Sequence, residues 1–252
     1  MFTPIFRNIS DQNIWREVFT ENEYQLSVFS ANDVILDVGA HIGAFTCATL
    51  ARGARRIVAF EPDPSSYALA TQNTDNYLRS CGIDASVSVR NCAVWRSDKD
   101  ETVRLTNAQF SAYHQGLFFA GQSTLFSDAD TVPVRSIKLD TILNAYPEVA
   151  LLKLDCEGAE WPIIFTSREL HKVTRLVLEL HSLVWKAAES AREVSANLFA
   201  EFGHYTLEDL KTHVERLGMV CTWEQINRNY LNDPDFYLGL VSFEHSQGRA
   251  TK

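Results

Sequence analysis

With 252 residues and 46% hydrophobic composition, the chain is long for one compact domain and short for two, and it can fill a sizeable core. A formal charge of −9 without any Lys/Arg-rich block argues against nucleic acid or an anionic membrane surface as partner. No run approaches the roughly 18 to 20 apolar residues of a membrane span, and Met1–Ser10 lacks the features of a secretion signal, so a soluble, cytoplasmic protein is expected.

Residues 1–30 read as an N-terminal extension with a short helix around Asp11 to Thr20. From 31 to 245, β-rich runs alternate with helical segments, the pattern of parallel strands joined by crossover helices in one domain. Residues 246–252 read as a tail. Strands are expected at Val34–Val38, Ile57–Glu61, Ser86–Asn91, Val149–Asp155, Arg175–Leu180, Met219–Glu224 and Phe236–Phe243. The helices between them fall at Ile42–Ala51, Ser65–Ser80, Trp161–Ser167, Ala187–Phe202 and Thr206–Leu217. Continuous apolar runs such as Val34-Ile35-Leu36 and Val149-Ala150-Leu151-Leu152 fit the centre of a sheet covered on both faces. That is a doubly wound α/β sheet of about seven strands, whose ligands sit at the strands' carboxyl ends. Between Ala93 and Thr141 the helix signal fades, and pieces such as Thr131-Val132-Pro133-Val134-Arg135 alternate. This stretch reads as a small strand-rich insertion over the sheet edge or the site mouth. Five cysteines, Cys47, Cys81, Cys92, Cys156 and Cys221, are an odd number without a C-x-x-C pair. Reduced thiols are expected rather than a disulfide framework or a structural zinc site.

The strongest local signal is Ile35-Leu36-Asp37-Val38-Gly39-Ala40-His41-Ile42-Gly43, a strand running into a glycine turn and a helix. Glycine there permits a sharp turn and a close approach of backbone to ligand. A nicotinamide fingerprint would need glycines where His41 and Ala44 stand, so that reading fails on spacing. An acid two residues before the first glycine suits a cationic ligand. The sulfonium and amino groups of S-adenosylmethionine carry such charge, and Asp37 is placed to bind the amino group. Asp37 could equally be a strand-ending or helix-capping residue. At the next strand end, Phe60-Glu61-Pro62 offers a carboxylate for both hydroxyls of a ribose. Asn91-Cys92-Ala93 ends the third strand where an adenine would lie, with an Asn91 side chain or an Ala93 amide as its contact.

These residues resemble the FkbM-type branch of the S-adenosylmethionine-dependent methyltransferases. The resemblance rests on Asp37 to Thr46, Phe60-Glu61-Pro62, Ala93-Val94, Ile137-Lys138-Leu139-Asp140, the block Leu152 to Glu160, and Leu178-Glu179-Leu180-His181. These pieces span roughly residues 33 to 182, and K-x-D-x-E-G-x-E, from Lys153 to Glu160, is the most particular of them. The family usually has Asn where His41 stands. The resemblance implies a Rossmann-like methyltransferase domain and a preference for methylating a hydroxyl of a small molecule, such as a sugar or secondary metabolite. An amide or amine nitrogen on a peptide or natural product is the alternative acceptor, and a non-catalytic nucleoside-binding protein the alternative class. On this reading the cofactor-binding residues are Asp37, Gly39, Ala40, Gly43, Glu61, Pro62, Asn91, Ala93 and Asp155.

Lys153, Asp155, Glu157 and Glu160 follow the fourth strand, and Glu179 and His181 end the fifth, so their ionisable groups should converge beside the cofactor. Methyl transfer is an in-line displacement, and a hydroxyl acceptor must also lose its proton. His181 is the first choice of base, with Glu179 as orienter or alternative base. Lys153 is expected to hold an acid or a substrate oxygen, or to pair with Glu157 and fix the turn. Asp155, Glu157, Glu179 and His181 could also ligate a divalent cation, but the displacement needs none and no metal-specific spacing is present. Tyr113, Phe118, Phe119, Trp161 and Trp185 are expected to pack in the core or a flap. His41, His114, His204 and His213 read as surface or capping residues.

Overall fold

Strand β1, Val34–Val38, is buried along its whole length and lies inside the central sheet. An unbroken buried strand needs cover on both faces, and the chain supplies it in two packed layers. The computed structural model describes residues 2–106, 131–182, 200–227 and 238–245. The other main-sheet strands are β2 Arg56–Phe60, β3 Ser86–Arg90, β8 Val149–Leu154, β9 Val173–His181, β10 Met219–Asn227 and β11 Leu238–His245, in spatial order β10-β11-β9-β8-β1-β2-β3. From β3 to β9 neighbours run parallel, whereas β11 runs antiparallel to both β9 and β10. The expected doubly wound sheet of seven strands is therefore present. Strand order reverses between β1 and β8, where open α/β sheets bind ligands outside the carboxyl ends.

The two faces separate by alternation along the strands. Leu36, Val38, Leu152, Leu154, Leu176 and Leu178 face one core with Trp161, while Ile35, Leu151 and Val177 face the other with Phe45, Trp15 and Tyr24. The helices are α1 Ile9–Trp15, α2 Ala44–Ala51, α3 Pro64–Cys81, α4 Leu139–Leu143, α5 Glu160–Thr166 and α6 Leu207–Glu215. The Asp63 side chain caps α3 by accepting from Ser66 N, Pro64 opens the helix, and Gly82 at φ 62° ends it. Thr206 and Asp209 form a capping box on α6. Among the described residues no helix is long and apolar enough to cross a membrane.

The differences from expectation have local causes. Helix α2 starts at Ala44 rather than Ile42 because His41 and Gly43 adopt left-handed φ values of 49° and 86°. The N-terminal helix begins at Ile9, capped by Asn8, and gives way to a π-helical turn at Arg16–Thr20. In the N-terminal extension, Phe2, Phe6, Trp15 and Phe19 form an aromatic cluster with Tyr77 of α3 in the second core. Between 93 and 141, β4 Ala93–Trp95 pairs with β7 Ser136–Lys138, and β5 Val103–Thr106 with β6 Thr131–Val134. Ala93, Val94 and Trp95, where this stretch begins, are buried in the first core. Residues 107–130, with Tyr113, His114, Phe118 and Phe119, lie outside the described residues, as do 187–199 of the expected helix Ala187–Phe202, Trp185, and 246–252.

Gly39 shows why the β1 turn demands glycine. Its φ is 79°, and a Cβ there would lie 1.8 Å from the carbonyl oxygen of Asp155. The crowding comes from the end of β8, not from a ligand. Gly39→Ala should therefore lower folding stability by about 3 kcal/mol or more, the sum of overpacking and left-handed strain. Urea unfolding measures it, and an unchanged midpoint would mean that the turn can part from β8 without loss.

Candidate active site

The site begins with a buried cation. Lys153 on β8 pairs in register with Asp37 on β1, and only 3% of its side chain is exposed. Its Nζ donates to the Gly39 carbonyl at 2.6 Å, lies 3.1 Å from Asp155 Oδ2 and 3.6 Å from Asp37 Oδ1. The rings of Tyr24 and Phe45 complete the enclosure, with centroids 5.9 and 5.8 Å from Nζ. Burial alone would lower the lysine's pKa, but Asp155 and Asp37 outweigh it and hold the group charged. Burial likewise works against ionised Asp155, yet Lys153 keeps it below the usual carboxylate range. Asp37 is wholly buried, and that burial raises its pKa despite Lys153 and the Thr46 hydroxyl that donates to Oδ2 at 2.7 Å. Its other oxygen, Oδ1, has no hydrogen-bond partner among the described residues. Lys153 is thus a clamp on the glycine turn, and the expected pairing with Glu157 is not made.

From the clamp the turn passes to β2. Gly39 N and Ala40 N both donate to Phe60 O at 3.0 Å, and Gly43 N donates back to Ala40 O. A Cβ on Gly43 would meet Ala70 backbone atoms at 3.1 and 3.2 Å, so this glycine lets α2 approach α3. The carboxylate of Glu61 is gripped at both oxygens, by His41 N at 2.7 Å and Asp63 N at 2.8 Å. Burial pushes its pKa up to about 8 against the pull of those two amides. Asn91 donates to Glu61 O at 2.9 Å and to Pro62 O at 3.0 Å, and Ala93 N donates to Arg135 O at 2.8 Å. The donors expected to meet an adenine are therefore committed within the protein. Asn91 instead fixes the backbone that carries Glu61.

Beyond β8 the backbone turns through left-handed φ values of 54° at Glu157 and 99° at Gly158. Fully buried Glu160 accepts from Cys156 N and, at 2.8 Å, from Gly158 N, holding that turn in shape. His181 at the end of β9 sits between two acids: Nε2 is 3.4 Å from Glu157 Oε2 and Nδ1 is 3.4 Å from Glu160 Oε1. Trp161 is core, as expected, and its Nε1 donates to His181 O at 2.7 Å. Burial opposes a charge on His181, but Glu157 and Glu160 prevail and raise its pKa well above the usual imidazole value. Burial, with Asp155 second, raises Glu179 well above the carboxylate range, and burial also raises Glu157. His181, expected as the base with Glu179 as its orienter or alternative, therefore holds its proton more tightly than a free imidazole does.

The N-terminal segment contributes residues that the motif pattern did not reveal. Tyr24 OH donates to Asp155 Oδ2 at 3.3 Å, and Arg175 donates to Tyr24 O and Gln25 O at 3.1 and 3.2 Å. Next to Tyr24, half-buried Glu23 is pushed up to about 7 by burial, then by Glu17 and Asp155. Nothing around Glu23 in the sequence marks it, because its role comes from where the segment packs. Among the described residues no group of three or more His, Cys, Asp or Glu is arranged to hold a metal ion.

Residues 37–205 match the Methyltransferase FkbM domain family. The methyltransferase sdnD of Sordaria araneosa is 25% identical over 184 residues, 65% of this chain and 71% of that protein. Methyltransferase 1 of Beauveria bassiana (strain ARSEF 2860) is 25% identical over 176 residues, 60% of this chain and 65% of that protein. Similar solved structures include TrmK of M. capricolum in complex with S-adenosyl-homocysteine, at TM-score 0.44 and 9% identity, covering 90% of this chain and 68% of that one. A protein of the NADB-Rossmann superfamily from Streptococcus agalactiae has TM-score 0.45 and 12% identity, covering 97% of this chain and 70% of that one.

Removing the clamp's cation strands the buried carboxylate of Asp37 and the half-buried one of Asp155. Lys153→Met should destabilise the fold by about 3–5 kcal/mol, the usual loss on breaking one side of a buried ion pair. Chemical denaturation reads this directly, and wild-type stability in the variant would show that Asp37 and Asp155 find other compensation.

Proposed function

The chain belongs to the Methyltransferase FkbM domain family, and from that premise we propose that it moves the methyl group of S-adenosylmethionine onto a hydroxyl of a small molecule, such as a sugar or a secondary metabolite. The observation that carries this reading is the pair of buried carboxylates, Asp37 and Glu61, at the ends of adjacent strands on either side of one glycine turn. Two acids buried without a full set of partners suit a ligand that brings its own donors. Asp37 Oδ1, which lacks a hydrogen bond, fits the amino group. Glu61, held by two amides and still rich in lone pairs, fits two vicinal ribose hydroxyls. When bound, S-adenosylmethionine supplies a methyl carbon activated by a sulfonium.

The chain's own task is then to hold the acceptor in line and take up its proton. Glu179 and His181 occupy one face of β9 at the carboxyl edge, and each shifts the other's titration. The pair, rather than either residue, is the proposed proton acceptor. Both pKa values are raised, so the pair keeps its protons to higher pH than isolated residues would, and it gains basic capacity as pH rises.

Transfer of a labelled methyl group to a panel of hydroxyl and amine acceptors tests the class, with label appearing on sugars or secondary-metabolite alcohols as the expected result. Label on amine or amide nitrogen alone would move the reading to N-methylation. With a working acceptor, kcat/KM should climb toward alkaline pH, because both pKa values are raised, and a rate that instead falls on alkalinisation would remove the acid-to-base assignment. Glu179→Gln should slow turnover by roughly 10²–10⁴-fold, the span of general-base catalysis, while S-adenosylmethionine binds as before. Glu61→Gln should do the reverse, weakening cofactor binding by about 1–3 kcal/mol with the fold intact.

A further inference from the structure

Residues 5–11 lie outside the family match yet reach the same edge of the sheet. Fully buried Asn73 of α3 secures them: it accepts from Ile5 N at 2.8 Å and donates to Ile5 O at 3.1 Å and to Ile42 O at 3.0 Å. One side chain thereby ties the N-terminal segment to the glycine turn. Two residues on, the Arg7 guanidinium uses all five of its donors. Nε and Nη2 grip Asp11 at 3.0 and 2.9 Å, Nη1 donates to the hydroxyls of Ser65 and Ser66 at 3.0 Å each, and Nη2 reaches His41 Nε2 at 2.8 Å.

A guanidinium only donates, so the Arg7 contact makes Nε2 of His41 the acceptor and leaves the ring proton on Nδ1. Burial pushes the His41 pKa down to about 4 despite nearby Asp11, which keeps the ring neutral. Nδ1 is buried and has no hydrogen-bond partner among the described residues. The same residue's backbone N–H grips Glu61 Oε2 at 2.7 Å. His41 holds this place in a left-handed backbone conformation, which makes outside support useful.

We propose that Arg7 is a positioning residue of the cofactor pocket: by fixing His41, whose backbone N–H holds Oε2 of Glu61, it orients that carboxylate toward the ribose. The N-terminal segment is then part of the site although it lies outside the family match, and the inference rests on the S-adenosylmethionine reading above. Its reach is specific, because a structural anchor alone would need Asp11 and the serines but not His41.

Calorimetric titration with S-adenosylhomocysteine of the full chain, Arg7→Ala, Arg7→Lys, Glu61→Gln and Arg7→Ala/Glu61→Gln tests it, with melting curves confirming that each variant is folded. Arg7→Lys keeps the charge beside Asp11 and so protects the fold, but a lysine cannot serve Asp11, two serines and His41 together. Both Arg7 variants should bind about tenfold more weakly, and in the Glu61→Gln background the further loss should shrink below about twofold, since the two residues act on one contact. Wild-type affinity in folded Arg7 variants, or losses that multiply in the double variant, would overturn the inference while leaving the cofactor reading in place. Failure of the unaltered protein to bind S-adenosylhomocysteine would overturn the cofactor reading, and this inference with it.

Discussion

A lysine ammonium enclosed in the sheet organises everything around it. Lys153 bridges Asp37 at the end of β1, Asp155 beyond β8 and the carbonyl of Gly39 in the turn between β1 and α2. None of the three anionic or polar groups would tolerate burial alone, and the lysine would not either. Together they neutralise one another, and the shape of the turn follows from the arrangement. With the Gly39 carbonyl held by Lys153, the amides of Gly39 and Ala40 face β2 and are caught by Phe60 O. Three strand ends are locked to one another before any ligand arrives. That is the preorganisation a site on rigid elements can supply and a loop cannot.

Moving along the carboxyl edge, the electrostatics change character. Around Lys153, Asp155 is held ionised. Past the left-handed turn at Glu157 and Gly158, burial raises the pKa values of Glu157 and Glu179, and the acids Glu157 and Glu160 raise that of His181 against its own burial, so all three retain protons more strongly than their free counterparts. One end of the edge is therefore built to keep fixed charges, and the other to exchange protons. Such a division suits the proposed methyl transfer to a hydroxyl, which would need a fixed electrostatic frame for a cationic cofactor and a proton acceptor beside it.

Much of the architecture was legible in the sequence because parallel central strands must be apolar on both faces, and Val34–Val38 and Val149–Leu154 say so directly. Gly39 and Glu61 were legible because strand-turn-helix patterns allow few residues at those points. The reason for Gly39 was not, since its crowding partner is the Asp155 carbonyl from a strand more than a hundred residues away. Lys153 stood out, but its partners are set by the β1–β8 register, which no local pattern encodes. Asn91 and Ala93 occupy the expected place in the chain yet spend their donors on Glu61, Pro62 and Arg135, a choice made by tertiary packing. Arg7, Glu23 and Tyr24 carry no motif at all. They enter the site because an aromatic cluster of Phe2, Trp15, Phe19 and Tyr77 draws the N-terminal segment onto α3.

The central claim is that this edge of the sheet binds S-adenosylmethionine. Calorimetric titration of the unaltered protein with S-adenosylmethionine, and with NADH as the control ligand, tests it most directly. The account predicts binding of the sulfonium compound in the micromolar range, about −8 kcal/mol, and no heat from NADH. A folded sample that binds NADH, or that binds neither ligand, would contradict it.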